Sequence, residues 1–315
     1  MKKPSRTPYL LAAACGLVPL AAPASAQTGR DPIVVQGERL TPVAAREQAT
    51  AFVRTTGVAA SETPAARWSD PVCPRVLGLT PEGARSAENM VRAIAVQVGA
   101  QVAPEPCDSN IVISFTANAA AVVREIERRE PRRFGELNPT ERRTLVEGNA
   151  PVRWWYTTEL RDMSGSNGGQ GRTSAAVTGA DNNMRGAGAG SDLANDVPTT
   201  MRYSNSVIST YSSRNLLSAT VVIDQDAAMG RRLGAIAAYA ALVALAEIRP
   251  MDGVPEGSIL GLFTAQNPPS RLTLQDMGFL RTLYRMPLDR QARYHRGTLV
   301  AGMISATSDE TSGAY

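Results

Sequence analysis

Lysine is missing from the body of this chain: Lys2 and Lys3 are the only two, both at the extreme N-terminus. A lysine-free body excludes a P-loop lysine, a Schiff base and a pyridoxal-phosphate anchor together. Histidine is nearly as scarce, with His295 alone, so a metal site built on Cys73 and Cys107 would have to recruit it from far along the chain. No apolar run in the body reaches bilayer length. The longest, Leu233 to Ile248, has 16 residues, against the roughly 20 a membrane-spanning helix needs. A nucleophile elbow is absent too, because Gly257-Ser258-Ile259-Leu260-Gly261 carries its serine one place too early for GxSxG.

What is present begins with an export signal. Lys2, Lys3 and Arg6 precede an apolar run from Tyr9 to Ala22, and Ala24-Ser25-Ala26 before Gln27 has the small-x-small form of a cleavage site. Residues 1–26 are therefore expected to be removed, and the product to be periplasmic or secreted. Lipidation at Cys15 is the alternative, in a poor context of three alanines. Cleavage takes three basic groups and no acid, so the formal charge falls from +4 to +1. That balance, like the export signal, argues against nucleic acid as a partner. In an oxidising compartment Cys73 and Cys107 are expected to form a disulfide, worth roughly 3 to 4 kcal/mol in the chain-entropy model.

Along the chain, residues 27–67 read as a tail and one helix, capped by Thr41-Pro42 and ended at Gly57. The compact domain is expected from Trp68 to Met303. Val72 to Leu79 is a strand candidate, and Thr80-Pro81 opens a helix that ends at Gly99. Ile111 to Thr116 is an apolar strand, and Asn118 caps a helix that Pro131 stops. Asn138-Pro139 with Glu141 signals a short capped helix, and Arg153 to Leu160 is an aromatic strand. This order predicts an α/β (α+β) fold with a single mixed sheet packed with helices, containing a parallel crossover that would bring the two cysteines together.

Residues 163–198, dominated by Gly, Ser, Asn and Ala, read as a mobile insertion. Ser204 to Tyr211 and Leu216 to Ile223 suggest a hairpin about a turn at Ser212 to Asn215. The helix Ala227 to Ile248 is the most hydrophobic in the chain and is expected in the core. Leu272 to Tyr284 gives a further helix, and residues 304–315 read as a disordered tail.

From Val221 to Tyr284 the succession of apolar strand, polar turn, long helix, short Ser-Ile turn and a Leu-Thr-x-x-Asp helix ending in Leu-Tyr resembles zincin-like proteins of the metzincin type. It is similar in particular to exported bacterial zincin-like proteins that share that closing pattern. The resemblance implies a zincin-like order of elements. It also implies that the positions of the first His, the Glu and the second His of HExxHxxGxxH fall on Ala238, Tyr239 and Leu242, with the turn methionine near Leu260. Methyl, phenol and isobutyl groups supply neither three metal ligands nor a carboxylate beside the bound water. The family's activity is therefore not expected here, and no catalytic residue, metal or cofactor is assigned.

Other chemistry weighs less. His295, in an Arg-rich segment, reads as a solvated surface residue. Asp224 and Asp226, with Asp276, read as helix caps, while a hydrolase using Asp224, Asp226 or Glu247 is the alternative. The arginines from Arg128 to Arg143 alternate with glutamates and read as a solvated face. Trp154, Trp155 and Tyr156, on one strand, are the candidates for binding a protein or peptide by strand addition, with Trp155 facing opposite to the other two.

Overall fold

The structure, a computed structural model, describes residues 41–162, 209–210, 212–249 and 253–312. Five strands form one sheet, β1 (Ala66–Arg67), β2 (Pro74–Leu77), β3 (Ile111–Thr116), β4 (Val152–Asp162) and β5 (Ser212–Asp224). β5 lies parallel to β3, and β3 to β2, while β1 runs parallel beside the first residues of β5. β4 runs antiparallel along the whole of β5. The mixed sheet and its helical cover are as expected.

Local chemistry sets the helix ends. α1 (Pro42–Thr56) is capped by Thr41 Oγ1, which accepts from Ala44 N–H at 3.2 Å, and it ends where Gly57 turns left-handed at φ 64°. α2 (Pro81–Val98) repeats the device with Thr80, Pro81 and Gly99. Asn118 caps α3 (Ala119–Arg129), and Asn138 with Glu141 forms a reciprocal capping box on α4 (Pro139–Glu147). The arginines of this region pair as their spacing predicts, Arg128 and Arg129 with Glu125, Arg133 with Glu130 and Arg142 with Glu127.

The disulfide Cys73–Cys107 is present, with Cα atoms 6.2 Å apart. Its halves precede β2 and β3, whose parallel pairing sets Pro74 beside Ile111. On one face of the sheet the main core gathers α1, α2, α6 (Leu233–Leu245), α7 (Leu274–Arg285) and the buried side of α8 (Ala292–Ser312). On the other, α3, α4 and the 3₁₀ turn Pro131–Phe134 cover Trp155 and Val222. Strand alternation thus sends Trp154 and Tyr156 to one core and Trp155 to the other.

Four expectations are corrected. Ser212 to Asn215 is no turn: it continues β5, pairing Arg214 with Leu160 and Asn215 with Glu159. Residues 204–208, which would have formed the other arm, lie outside the described residues, as does the 163–198 insertion. The long helix is interrupted. α5 (Gln225–Ala228) ends before Gly230, at φ 76°, and α6 restarts at Leu233. The main core does not begin at Trp68, since Ala49, Phe52 and Val53 of α1 are buried in it and Phe52 packs on Phe279 at 5.1 Å. Finally α8 carries helix through to Ser312, where a disordered tail was expected.

Candidate functional site

α6 is buried all round from Ala235 to Leu245, so its C-terminal carbonyls cannot turn to bulk water. Nor is there a glycine to close it, since Ala246 leaves the helix in an extended conformation. Aromatic side chains take over. Tyr156 Oη donates to Val243 O at 2.8 Å, Trp68 Nε1 to Ala244 O at 2.8 Å and Tyr284 Oη to Leu245 O at 2.9 Å. Trp154 Nε1 then donates to Ile248 O at 2.7 Å, while Ile248 N–H donates back to Tyr156 Oη at 3.2 Å.

One turn earlier lie the three positions that the sequence resemblance singled out. Ala238, Tyr239 and Leu242 are 3, 5 and 0 % exposed. The Tyr239 ring stands edge-on to Phe263 at 5.2 Å and to Trp154 at 6.5 Å, and the Arg231 guanidinium lies over Phe263 at 5.1 Å. Rings therefore fill the space beside the helix. Burial holds the Tyr239 hydroxyl well above its ordinary pKa, so it stays neutral. Leu260, at the turn position, is buried in the 3₁₀ segment Ile259–Phe263. Among the described residues no three or more His, Cys, Asp or Glu side chains are placed to hold a metal.

Asp224, Asp276 and Glu247 serve structure, and Glu247 stands apart from Asp224 and Asp226. Asp224 accepts from Asp226 N–H at 3.1 Å and from Ala119 N–H at 3.4 Å, capping α5 and bracing α3, while Asp226 is exposed. Asp276 accepts from Ser258 Oγ at 2.6 Å and from the backbone N–H groups of Ile259 and Thr273 at 2.9 Å, which ties the 3₁₀ turn to α7. Burial pushes its carboxyl up, against those hydrogen bonds. Glu247, 5 % exposed, is gripped by Arg214 at 2.5 and 3.0 Å and by Arg249 at 2.7 Å. Arg214 and Asp224 are ten residues apart on β5, so Glu247 and Asp224 sit near opposite ends of a strand about 30 Å long.

The aromatic strand is core. Trp154, Trp155 and Tyr156 are 8, 3 and 6 % exposed, and Phe134 packs edge-on to Trp155 at 5.1 Å. Strand addition beside them is blocked as well. Every residue from Val152 to Tyr156 is buried, and beyond them Glu136 accepts from both the N–H and the hydroxyl of Thr158 on the outer edge of β4. That carboxylate occupies the place of an incoming strand's carbonyl. The binding role expected of these three residues is therefore withdrawn.

His295 also departs from expectation, being only 1 % exposed. Its Nδ1 accepts from Ala65 N–H at 3.0 Å and its Nε2 lies 3.0 Å from Pro287 O, so the ring is neutral with its proton on Nε2. Desolvation lowers its pKa. Sequence reasoning missed Trp68, Tyr284, Arg214 and Glu136 as parts of this centre. A buried helix with no donor of its own for its last carbonyls was the available signal that donors must come from elsewhere.

Comparison with known proteins gave no matching family model, no matching curated protein and no matching solved structure. Fold and centre together define an α/β protein with one mixed five-stranded sheet and an aromatic-capped apolar helix against it.

Proposed function

We propose that this chain is an exported, non-catalytic protein on a zincin-like scaffold, acting as a binding or envelope-associated component. The observation that carries the reading is the filling of the helix-centre site: Ala238, Tyr239 and Leu242 are core residues, with Tyr239 wedged between Trp154 and Phe263. The antiparallel position of β4 beside β5, at the margin of an otherwise parallel sheet, supports the scaffold reading. The alternative, a hydrolase using Asp224, Asp226 or Glu247, loses support from the distance of Glu247 from the two aspartates, from the capping duty of Asp224 and from the ion pairs of Glu247. Native mass spectrometry of the oxidised fragment 27–315 tests the reading. A mass free of metal is expected, whereas one tightly held zinc per chain would overturn it.

A further inference from the structure

Between α1 and β1 the backbone makes two left-handed turns without glycine, at Ala59 (φ 55°) and Ser61 (φ 51°). Non-glycine residues in that region cost of order 1 kcal/mol each and persist only where their surroundings hold them. Here the holding groups come from other elements. On α8, Arg296 Nη1 donates to Ala59 O at 2.6 Å and to Ser61 O at 2.7 Å. Arg214 of β5 donates to Pro64 O at 3.0 Å, and Arg249 N–H to Thr56 O at 2.9 Å. The last backbone group before β1, Ala65 N–H, is held by His295 Nδ1.

α1 itself is seated imperfectly. Between Ala45, Gln48 and Ala49 of α1, Gln275 of α7 and Met303, Ile304 and Thr307 of α8 lies a half-open recess of about 20 Å³, room for one water. Gln275 Nε2 is buried without a hydrogen-bond partner. A strained linker and a loosely filled seat thus belong to one segment, and its last tie is the sole histidine of the chain.

We infer that α1 and residues 57–65 form a strap latched by His295, which lets go on acidification while the sheet stays folded. The chemistry of the latch has one sense. Nδ1 can accept from Ala65 N–H only while unprotonated, and an imidazolium would set two N–H groups against each other. The charged groups bearing on the ring are Asp289 and Arg290, on the approach to α8, and Arg67 of β1. Asp289 favours the imidazolium, but it is already engaged by Ser209 Oγ and Arg290, and both arginines oppose protonation. Because the folded pKa lies below the ordinary 6.5, the contribution is complete above that value and is lost as pH falls from it towards the folded value.

The test is hydrogen exchange of the full chain at about pH 7.5 and about pH 5, corrected for intrinsic rates and bracketing the ordinary imidazole value. Protection in residues 42–65 should fall by up to tenfold per pH unit below the unfolded value, with β3 and β5 unchanged. Equal protection of the strap at both pH values, or loss across the sheet at the same pH, overturns the inference. In His295→Gln the pH dependence of 42–65 should vanish. Should that variant not fold, the imidazole titration of the wild-type chain, a single resonance, decides: an inflection below 6.5 that coincides with the Ala65 amide shift supports the latch, and an inflection at or above 6.5 overturns it.

Discussion

Removing the hydroxyl of Tyr156 isolates the aromatic cap on α6. Tyr156→Phe keeps the ring, its burial and its volume, and deletes one oxygen that donates to Val243 O and accepts from Ile248 N–H. The substitution therefore strands the buried Val243 carbonyl, while Ile248 N–H keeps a second acceptor in Ala246 O at 2.8 Å. An unsatisfied buried group costs about 1 to 3 kcal/mol, so a loss of that order is expected. Tyr284→Phe is the parallel case: its hydroxyl donates to Leu245 O at 2.9 Å and also engages the Trp68 backbone, and a loss of the same order is expected. Urea unfolding followed by tryptophan fluorescence measures both, with the midpoint moving and the slope constant. In a thermal scan the Tyr156 variant should melt roughly 2 to 12 °C lower. A loss under about 0.5 kcal/mol in the Tyr156 variant would refute the argument, because it would mean that water reaches the stranded carbonyl.

Three further outcomes follow from packing and covalent geometry. Gly302→Ala would place a Cβ 2.1 Å from Thr282 Oγ1, prising α7 from α8, and should cost about 1 to 3 kcal/mol in the same unfolding assay. Gly78→Ala should be worse, since the new Cβ would lie 1.9 Å from Phe115 O at a left-handed φ of 82°; expression of soluble protein should fall sharply. Cys73→Ser with Cys107→Ser opens a bond spanning 34 residues and should lower stability by about 3 to 4 kcal/mol, read against the wild type under reducing conditions, where the difference should disappear.

The parts of the fold written in neighbouring residues were legible. Thr41, Thr80, Asn118 and Asn138 cap the helices that follow them because capping needs only a side chain and the next turn. The two cysteines were legible through topology, since parallel neighbours share their starting edge. What misled was local chemistry overruled at a distance. Ser212-Ser213-Arg214-Asn215 has turn composition, yet β4 supplies a full antiparallel ladder and Ser69 engages the buried Asn215 side chain. His295 sits among arginines in sequence and is nevertheless buried, because its partners, Ala65 and Pro287, are backbone groups that composition cannot reveal. The aromatic strand was placed correctly and its faces were assigned correctly, but its tryptophans support the core and the α6 cap.

The ladder between β4 and β5 closes at Asp162 opposite Ser212. Asp162 and Ser212 therefore face each other across the strand pair, about 5 Å apart. Closing a loop costs only about 0.6 kcal/mol more for each doubling of its length. This end of the ladder is accordingly a tolerant port: segments can be exchanged or grafted between Asp162 and Ser209, which bridges to Arg290, without disturbing the register that holds the core. For a chain whose recognised chemistry is otherwise devoted to holding itself together, it is the place where new sequence can be added at least cost to the fold.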